Sequence, residues 1–196
     1  MLTLEAALDL FGEERLVPYL NASSGNIDRA LILYLWNSKV AGSYWAIVES
    51  IEVVLRYRLA SALFSDGLVT QSYLDSKTTG AFKISKPAQK YTEMTFGFWT
   101  YLLSPQNANA IWTPVLHRSF QKGVSRKALH LDVSAVQKLR NKIGHHEAIW
   151  HLDHELILSK IYAVLAAISD DAVAWVESTT NIQAVLDQRP TWLPRS

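Results

Sequence analysis

The chain has 196 residues, 49% of them hydrophobic, with 8 glycines and 6 prolines, a composition that predicts one globular domain with a sizeable core. It contains no cysteine, which excludes disulfides and cysteine-based zinc sites. The net charge is only +1, but residues 117–146 hold seven Lys or Arg against one acid. A basic segment of this kind favours a polyanionic partner such as RNA, although a solvated helix face would look the same.

Apolar residues recur at spacings of three and four over most of the chain and hairpin signals are few, so the sequence predicts an all-α fold. The first residues lack the positive region and the apolar run of a signal peptide. The two most apolar stretches, residues 44–64 and 156–168, are interrupted by charged residues. We therefore expect a cytoplasmic protein with no membrane span.

Residues 1–26 are predicted to form an N-terminal extension. Thr3 can cap a short helix that ends near Leu10, the residues around Pro18 break the helical pattern, and residues 21–26 form a turn-rich linker.

Two helices are predicted next, over residues 27–39 and 44–64, with Gly42-Ser43 between them. The second is expected to be the central helix of the fold. Glu52 and Arg56 lie four residues apart on it, a spacing that predicts an ion pair on the helix surface.

The middle of the chain is predicted to begin with a polar loop, residues 65–87, that could lie over a substrate. The sequence Thr95-Phe96-Gly97-Phe98-Trp99 then opens a short apolar helix, whose aromatic residues we assign to the core. Residues 107–120 are predicted to form another helix despite Pro114.

After a basic connector, residues 121–130, Asp132 or Ser134 is expected to cap a helix that runs to about Gly144. A strongly apolar helix over residues 152–168 should pack beside it. A last pair of short helices and an extended tail, residues 189–196, complete the predicted single domain.

The helix that ends near Gly144 carries the densest set of chemically useful side chains. Arg140, Asn141 and His145 lie off its apolar face, and Asn141 and His145, four apart, are neighbours on the helix surface. Arg140 is five residues before His145, so the two can meet only through the reach of the arginine or a helix that deforms near Gly144.

The pattern Arg140-Asn141-x-x-x-His145 resembles the signature of HEPN domains, helical domains that include many metal-independent ribonucleases. Residues 140–149 look most like the Abi-like (abortive infection) branch, although Ala148 stands where many Abi-like sequences have proline. The resemblance, over about residues 44–190, implies a HEPN-like helical bundle.

Two upstream elements are also similar to Abi-like proteins. The first is Glu52-x-x-Leu55-Arg56, although Tyr57 departs from the asparagine expected next, and the second is the Phe-Gly-Phe-Trp sequence of residues 96–99. The role of position 57 is therefore open, and a purely structural Glu52–Arg56 pair is as compatible with the sequence as a catalytic one.

The resemblance implies a metal-independent endoribonuclease of phage-defence or toxin type that needs no cofactor and leaves 2′,3′-cyclic phosphate ends. The implied catalytic residues are Arg140, Asn141, His145, His146 and Glu52. The expected RNA-binding residues are Arg56, Arg126, Lys127, Lys138 and Lys142. Histidine can move a proton near neutral pH, and the arginine fork matches a phosphate and keeps its charge.

One Arg140 and one His145 per chain are few groups for both acid and base catalysis. HEPN ribonucleases pair two copies around one cleft, so the resemblance implies a homodimer, and it leaves room for an antitoxin partner. The apolar surplus in the helices around Trp36, Trp45 and Tyr162 could supply the interface, although the sequence does not separate interface from core.

A metal site is the competing interpretation, because seven potential ligands occur in eleven residues: His145, His146, Glu147, His151, Asp153, His154 and Glu155. His146 and His151 are five apart, however, and so miss the common face that a zinc helix motif needs. The other alternative is a HEPN module that binds nucleic acid or acts as a scaffold without catalysis.

Overall fold

The structure is a computed structural model that describes residues 2–65, without the side chain of Phe64, and residues 94–194. Most of the loop predicted over residues 65–87, with its suggested position over a substrate, lies outside the described residues.

The described part of the chain is mostly helical and contains no strand, which confirms the all-α prediction. The helices are α1 (Leu4–Phe11), α2 (Glu13–Ala22), α3 (Ile27–Ser65), α4 (Phe96–Leu102), α5 (Arg126–Gly144), α6 (His154–Ile168), α7 (Asp170–Thr179) and α8 (Ile182–Leu186). None of the helices in these ranges is long and apolar enough to cross a membrane.

The chain divides into two compact units. The first comprises the residues up to Ile47, Arg140–His154 and the residues from Thr179 onward, and the second comprises Val48–Leu139 and Glu155–Ser178. Buried side chains of the first unit include Leu16, Tyr19, Leu33, Trp36, Tyr44, Ile143, Ile149 and Val185. Those of the second include Ile51, Leu55, Leu59, Trp99, Leu103, Val133, Val136, Leu165 and Ile168.

The N-terminal extension is more helical than predicted. The side-chain oxygen of Thr3 accepts a hydrogen bond from the amide of Ala6 at 3.2 Å, which confirms the predicted cap of α1. Pro18, however, lies inside α2 and does not break it. The lost hydrogen bond of Pro18 is offset by packing, since Leu16 and Tyr19 on the same helix are buried.

The predicted break at Gly42-Ser43 is wrong, because α3 continues through it for 39 residues. A glycine inside a helix costs only about 1 kcal/mol relative to alanine. Val40 and Tyr44 are fully buried on either side of it, and that packing outweighs the local cost.

In the second unit, Thr95 caps α4 by accepting a hydrogen bond from the amide of Phe98 at 3.3 Å. Phe96 and Trp99 are 3% and 2% exposed, which confirms their assignment to the core. A Cβ on Gly97 would lie 2.9 Å from the side-chain nitrogen of Gln137, so glycine lets this side chain of α5 come close to α4.

The prediction of one helix over residues 107–120 is wrong. Short turns replace it: a 3-10 turn at Pro105–Asn107, a π turn at Ala108–Trp112 and a second 3-10 turn at Leu116–Ser119. Pro114, which cannot donate a helical hydrogen bond, lies between the last two.

The helix α5 begins earlier than predicted, at Arg126, and Asp132 and Ser134 lie inside it and not at its cap. The side chain of Ser134 donates to the carbonyl of His130 at 2.6 Å. Asp132 pairs with Lys160 of α6 at 2.8 Å, so the apolar helix contacts α5 in the second unit.

Candidate functional site

The end of α5 places Asn141 and His145 on one exposed side of the helix. The amide of His145 donates to the carbonyl of Asn141 at 3.0 Å, so the helical hydrogen bonds continue past Gly144. The helix therefore does not deform at Gly144, which leaves the reach of the arginine as the way for Arg140 to approach His145. Asn141 and His145 are both exposed, and both can reach a ligand from solvent.

The turn that follows is a Schellman motif with histidine at its left-handed position. The amide of His146 donates to the carbonyl of Ile143 at 2.9 Å, and the amide of Glu147 donates to the carbonyl of Lys142 at 2.8 Å. His146 has a φ of 55°, a conformation that glycine usually supplies at this position. The turn thus holds an exposed imidazole in a strained backbone.

Arg140 lies against an aromatic ring of α3. Its guanidinium carbon is 5.7 Å from the ring centroid of Trp45, within cation–π distance. A Cβ on Gly144 would be 3.7 Å from a guanidinium nitrogen of Arg140 and 3.9 Å from Trp45. Arg140 therefore extends along its own helix toward Gly144, the residue before His145.

Lys142 and Glu147 form an ion pair across the same turn, with 2.7 Å between the ammonium nitrogen and a carboxylate oxygen. The hydrogen bond from Lys142 lowers the pKa of the Glu147 carboxyl. Both side chains remain substantially exposed, so the pair can open for an anionic ligand at little cost.

Two residues of the N-terminal helices hold this turn in place. Arg15 of α2 donates a hydrogen bond to the carbonyl of His146. The side-chain oxygen of Asn37 on α3, which is 5% exposed, accepts hydrogen bonds from the amides of Ile149 and Trp150 at 2.8 and 3.0 Å. The loop after α5 is thereby fixed to α2 and α3.

A pocket of about 640 Å³ lies between these elements. Its lining combines aromatic rings, small residues and polar groups: Arg15, Tyr19, Tyr34, Asn37, Ser38, Ala41, Gly42, Trp45, Ile143, Gly144, His146 and Glu147. The volume falls in the range of roughly 300–1,000 Å³ that is typical of small-molecule sites.

The chain was compared with protein-family models, curated proteins and solved structures. None of them matches it.

Glu52 and Arg56 belong to the second unit, and Arg140 belongs to the first. They form the predicted ion pair, with 2.8 Å between a guanidinium nitrogen and a carboxylate oxygen. With 14% of the Glu52 side chain and 20% of the Arg56 side chain exposed, the pair is more buried than the surface ion pair that was expected. A catalytic role for Glu52 stays a prediction.

The remaining predicted RNA-binding residues also lie in the second unit. Lys127 and Lys138 are exposed on α5. Arg126 instead donates a hydrogen bond to the carbonyl of Leu103 at 2.7 Å, which ties the start of α5 to the end of α4. That contact gives Arg126 a structural role, whether or not it also meets RNA.

The histidine-rich stretch after the site does not assemble into a metal centre. Within residues 2–65 and 94–194 there is no group of three or more His, Asp or Glu placed to hold a metal ion. His154 is packed between aromatic residues, with its Nδ1 3.2 Å from the hydroxyl of Tyr44 and its ring 6.2 Å from that of Trp36.

Sequence reasoning missed the contribution of the N-terminal helices to this site. Arg15 and Asn37 carry no motif, since their partners are main-chain groups more than a hundred residues away. In the helices that could supply a dimer interface, Trp36 is 4% exposed and its indole nitrogen donates to the carbonyl of Val185, whereas Trp45 is 39% exposed. The dimer stays a prediction.

Proposed function

We propose that the chain is a metal-independent endoribonuclease of phage-defence or toxin type, as the HEPN and Abi-like signature suggests, which cleaves RNA and leaves 2′,3′-cyclic phosphate. The observation that carries the proposal is the arrangement at the end of α5. Asn141 and His145 share one exposed side of the helix, and Arg140 extends along it to the residue before His145.

The reaction needs two proton transfers and charge stabilisation. A base removes the proton of a ribose 2′-hydroxyl, the resulting oxygen attacks the adjacent phosphorus, the bond from phosphorus to the 5′-oxygen breaks, and an acid protonates that oxygen. His145 and His146 are both exposed and can serve as base and acid. We assign His145 to one transfer directly and expect the other from His146 or from a second copy of the chain.

Arg140 is assigned to the phosphate. Its guanidinium can offer paired hydrogen bonds to two phosphoryl oxygens as negative charge builds up on them. Contact with the ring of Trp45 restricts the side chain before RNA binds, which reduces the entropy lost on binding. Asn141 can orient the phosphate or the imidazole through its amide.

A nucleic-acid-binding module without catalysis is the alternative. It is favoured by the exposed indole of Trp45 beside Arg140, since an aromatic ring next to a cation binds single-stranded nucleic acid without any chemistry.

The two functions are separated by incubating the purified protein with RNA in the presence of EDTA. The ribonuclease predicts cleavage with cyclic phosphate ends that is lost in His145→Ala. It predicts unchanged cleavage in His151→Ala, which removes an exposed histidine outside the site. Salt-sensitive RNA binding without cleavage would support the module instead.

A further inference from the structure

We propose that the pocket beside Arg140 binds one nucleotide of the RNA strand, with the base in the pocket and its phosphate toward Arg140. The inference rests on the proposed function and goes further, because it assigns a base-binding subsite to the N-terminal helices α2 and α3.

The shape of the pocket suits a flat ring. Tyr34, Ser38, Gly42 and Trp45 follow one another on one face of α3 at spacings of four, four and three residues. The floor is therefore made of small residues, and an aromatic ring stands at each end. A Cβ on Gly42 would have no heavy atom within 4 Å, so the space above the floor is open.

One wall of the pocket is closely packed. Tyr19 is 1% exposed and its ring meets that of Tyr34 edge to face, with 5.2 Å between the centroids. Burial raises the pKa of Tyr19 to about 12, so its hydroxyl stays neutral and can donate a hydrogen bond to a base. Aromatic side chains of this kind stack on nucleobases with little loss of conformational entropy.

The charge distribution fits the phosphate. Arg15 and His146 line the pocket, and Arg140 touches the same indole, Trp45, that the pocket uses. Glu147 is the acidic residue of the lining, and its carboxylate is already paired with Lys142. A nucleotide seated against Trp45 thus has its phosphate near cationic groups, next to the residues proposed to cleave the strand.

The test measures binding of adenosine 5′-monophosphate (AMP), adenosine and inorganic phosphate by titration calorimetry, with Gly42→Leu as the decisive variant. Leucine would fill the open space above the floor, and it favours a helix more than glycine does, so the variant should fold at least as well as the parent. Ala46→Leu adds the same side chain at an exposed position of α3 outside the pocket and serves as the control.

We expect AMP to bind more tightly than adenosine or phosphate alone, and its affinity to fall at least about tenfold in Gly42→Leu and in Trp45→Leu. Ala46→Leu should bind AMP as the parent does. AMP that does not bind, or that binds Gly42→Leu and Ala46→Leu equally, would overturn the proposal. Phosphate that binds as tightly as AMP would also overturn it, since the site would then recognise only the anion.

A short 2′-O-methyl RNA, which cannot be cleaved, distinguishes a strand from a free nucleotide. Tighter binding of this RNA than of AMP supports a substrate subsite, and weaker binding contradicts it. Cleavage of RNA by Gly42→Leu with an unchanged KM would refute the subsite and leave the ribonuclease standing. If the parent binds AMP but cleaves no RNA, and Gly42→Leu loses AMP binding, the pocket is confirmed and the ribonuclease is refuted.

Discussion

Arg15 donates a hydrogen bond to the main-chain carbonyl of His146, although 131 positions separate the two residues in the sequence. The bond joins α2 to the turn that ends α5, within one compact unit. A helix that the sequence places in a mere N-terminal extension thus supports the backbone of a proposed catalytic residue.

The first prediction is that Arg15→Met weakens both stability and RNA cleavage. Methionine keeps much of the aliphatic bulk but leaves the carbonyl of His146 without its charged donor, which should lower the free energy of unfolding by about 1 kcal/mol. Urea denaturation measures that loss, and the cleavage rate should fall because the turn becomes mobile. Lys39→Met, an exposed position on α3 outside the pocket, removes the same charge and should change neither. Equal behaviour of the two variants would contradict the supporting role of Arg15.

The second prediction separates stability from activity at position 146. His146 has a φ of 55°, which costs a residue with a side chain about 1 kcal/mol relative to glycine. His146→Gly should therefore raise the midpoint of urea unfolding and still lower the cleavage rate, because the imidazole is gone. His145→Gly is the control, since the residue continues the helical hydrogen bonds and its replacement should lower the midpoint. A fully active His146→Gly protein would remove His146 from the proposed mechanism.

The site shows which features a sequence can predict and which it cannot. The Asn141–His145 neighbourhood follows from helical periodicity, so it was predicted correctly. The left-handed conformation of His146 was not, because the sequence offers Gly144 as the natural helix stop two residues earlier. The contacts of Arg15 are tertiary and leave no local pattern in the sequence.

The same distinction applies to the fold. Periodic apolar positions located the long helices, and the cap Thr3 follows from local chemistry. The break expected at Gly42 failed because buried neighbours on both sides hold α3 together, and that burial depends on chain segments far away in the sequence. Glycine is less favourable in a helix than alanine by about 1 kcal/mol, which is too little to outweigh such packing.

The third prediction concerns pH. Burial, together with the charge of Arg189, lowers the pKa of His154 from 6.5 to about 4, while Asp153 opposes the shift and His151 adds to it. Below pH 6.5 the unfolded chain takes up a proton that the folded chain does not, so the free energy of unfolding should fall as the pH falls from 6.5 to 4. Because solvent reaches part of the ring, we expect a loss of roughly 2 kcal/mol, less than the shift alone implies.

The measurement is urea denaturation at several pH values for the parent and for His154→Gln, whose side-chain amide can donate to or accept from the hydroxyl of Tyr44. The variant should lose less stability on acidification than the parent. His151→Gln removes only the smallest cause of the shift and should keep most of the pH dependence of the parent. Identical slopes for the parent and His154→Gln would assign the acid sensitivity to other groups.

The last prediction is that substrate RNA favours a dimer, since one chain supplies a single Arg140 and a single His145 for a reaction with two proton transfers. If two Arg140 guanidiniums face each other across a symmetric cleft, their charges repel until a phosphate lies between them. Sedimentation equilibrium with and without a non-cleavable RNA should show RNA-dependent association. Arg140→Ala should weaken RNA binding and leave the free dimer intact or tighter, whereas Lys39→Ala should leave both unchanged. A protein that stays monomeric with RNA bound and cleaves at full rate would place the second proton-transfer group on the same chain, where His146 and Glu52 are the first residues to replace.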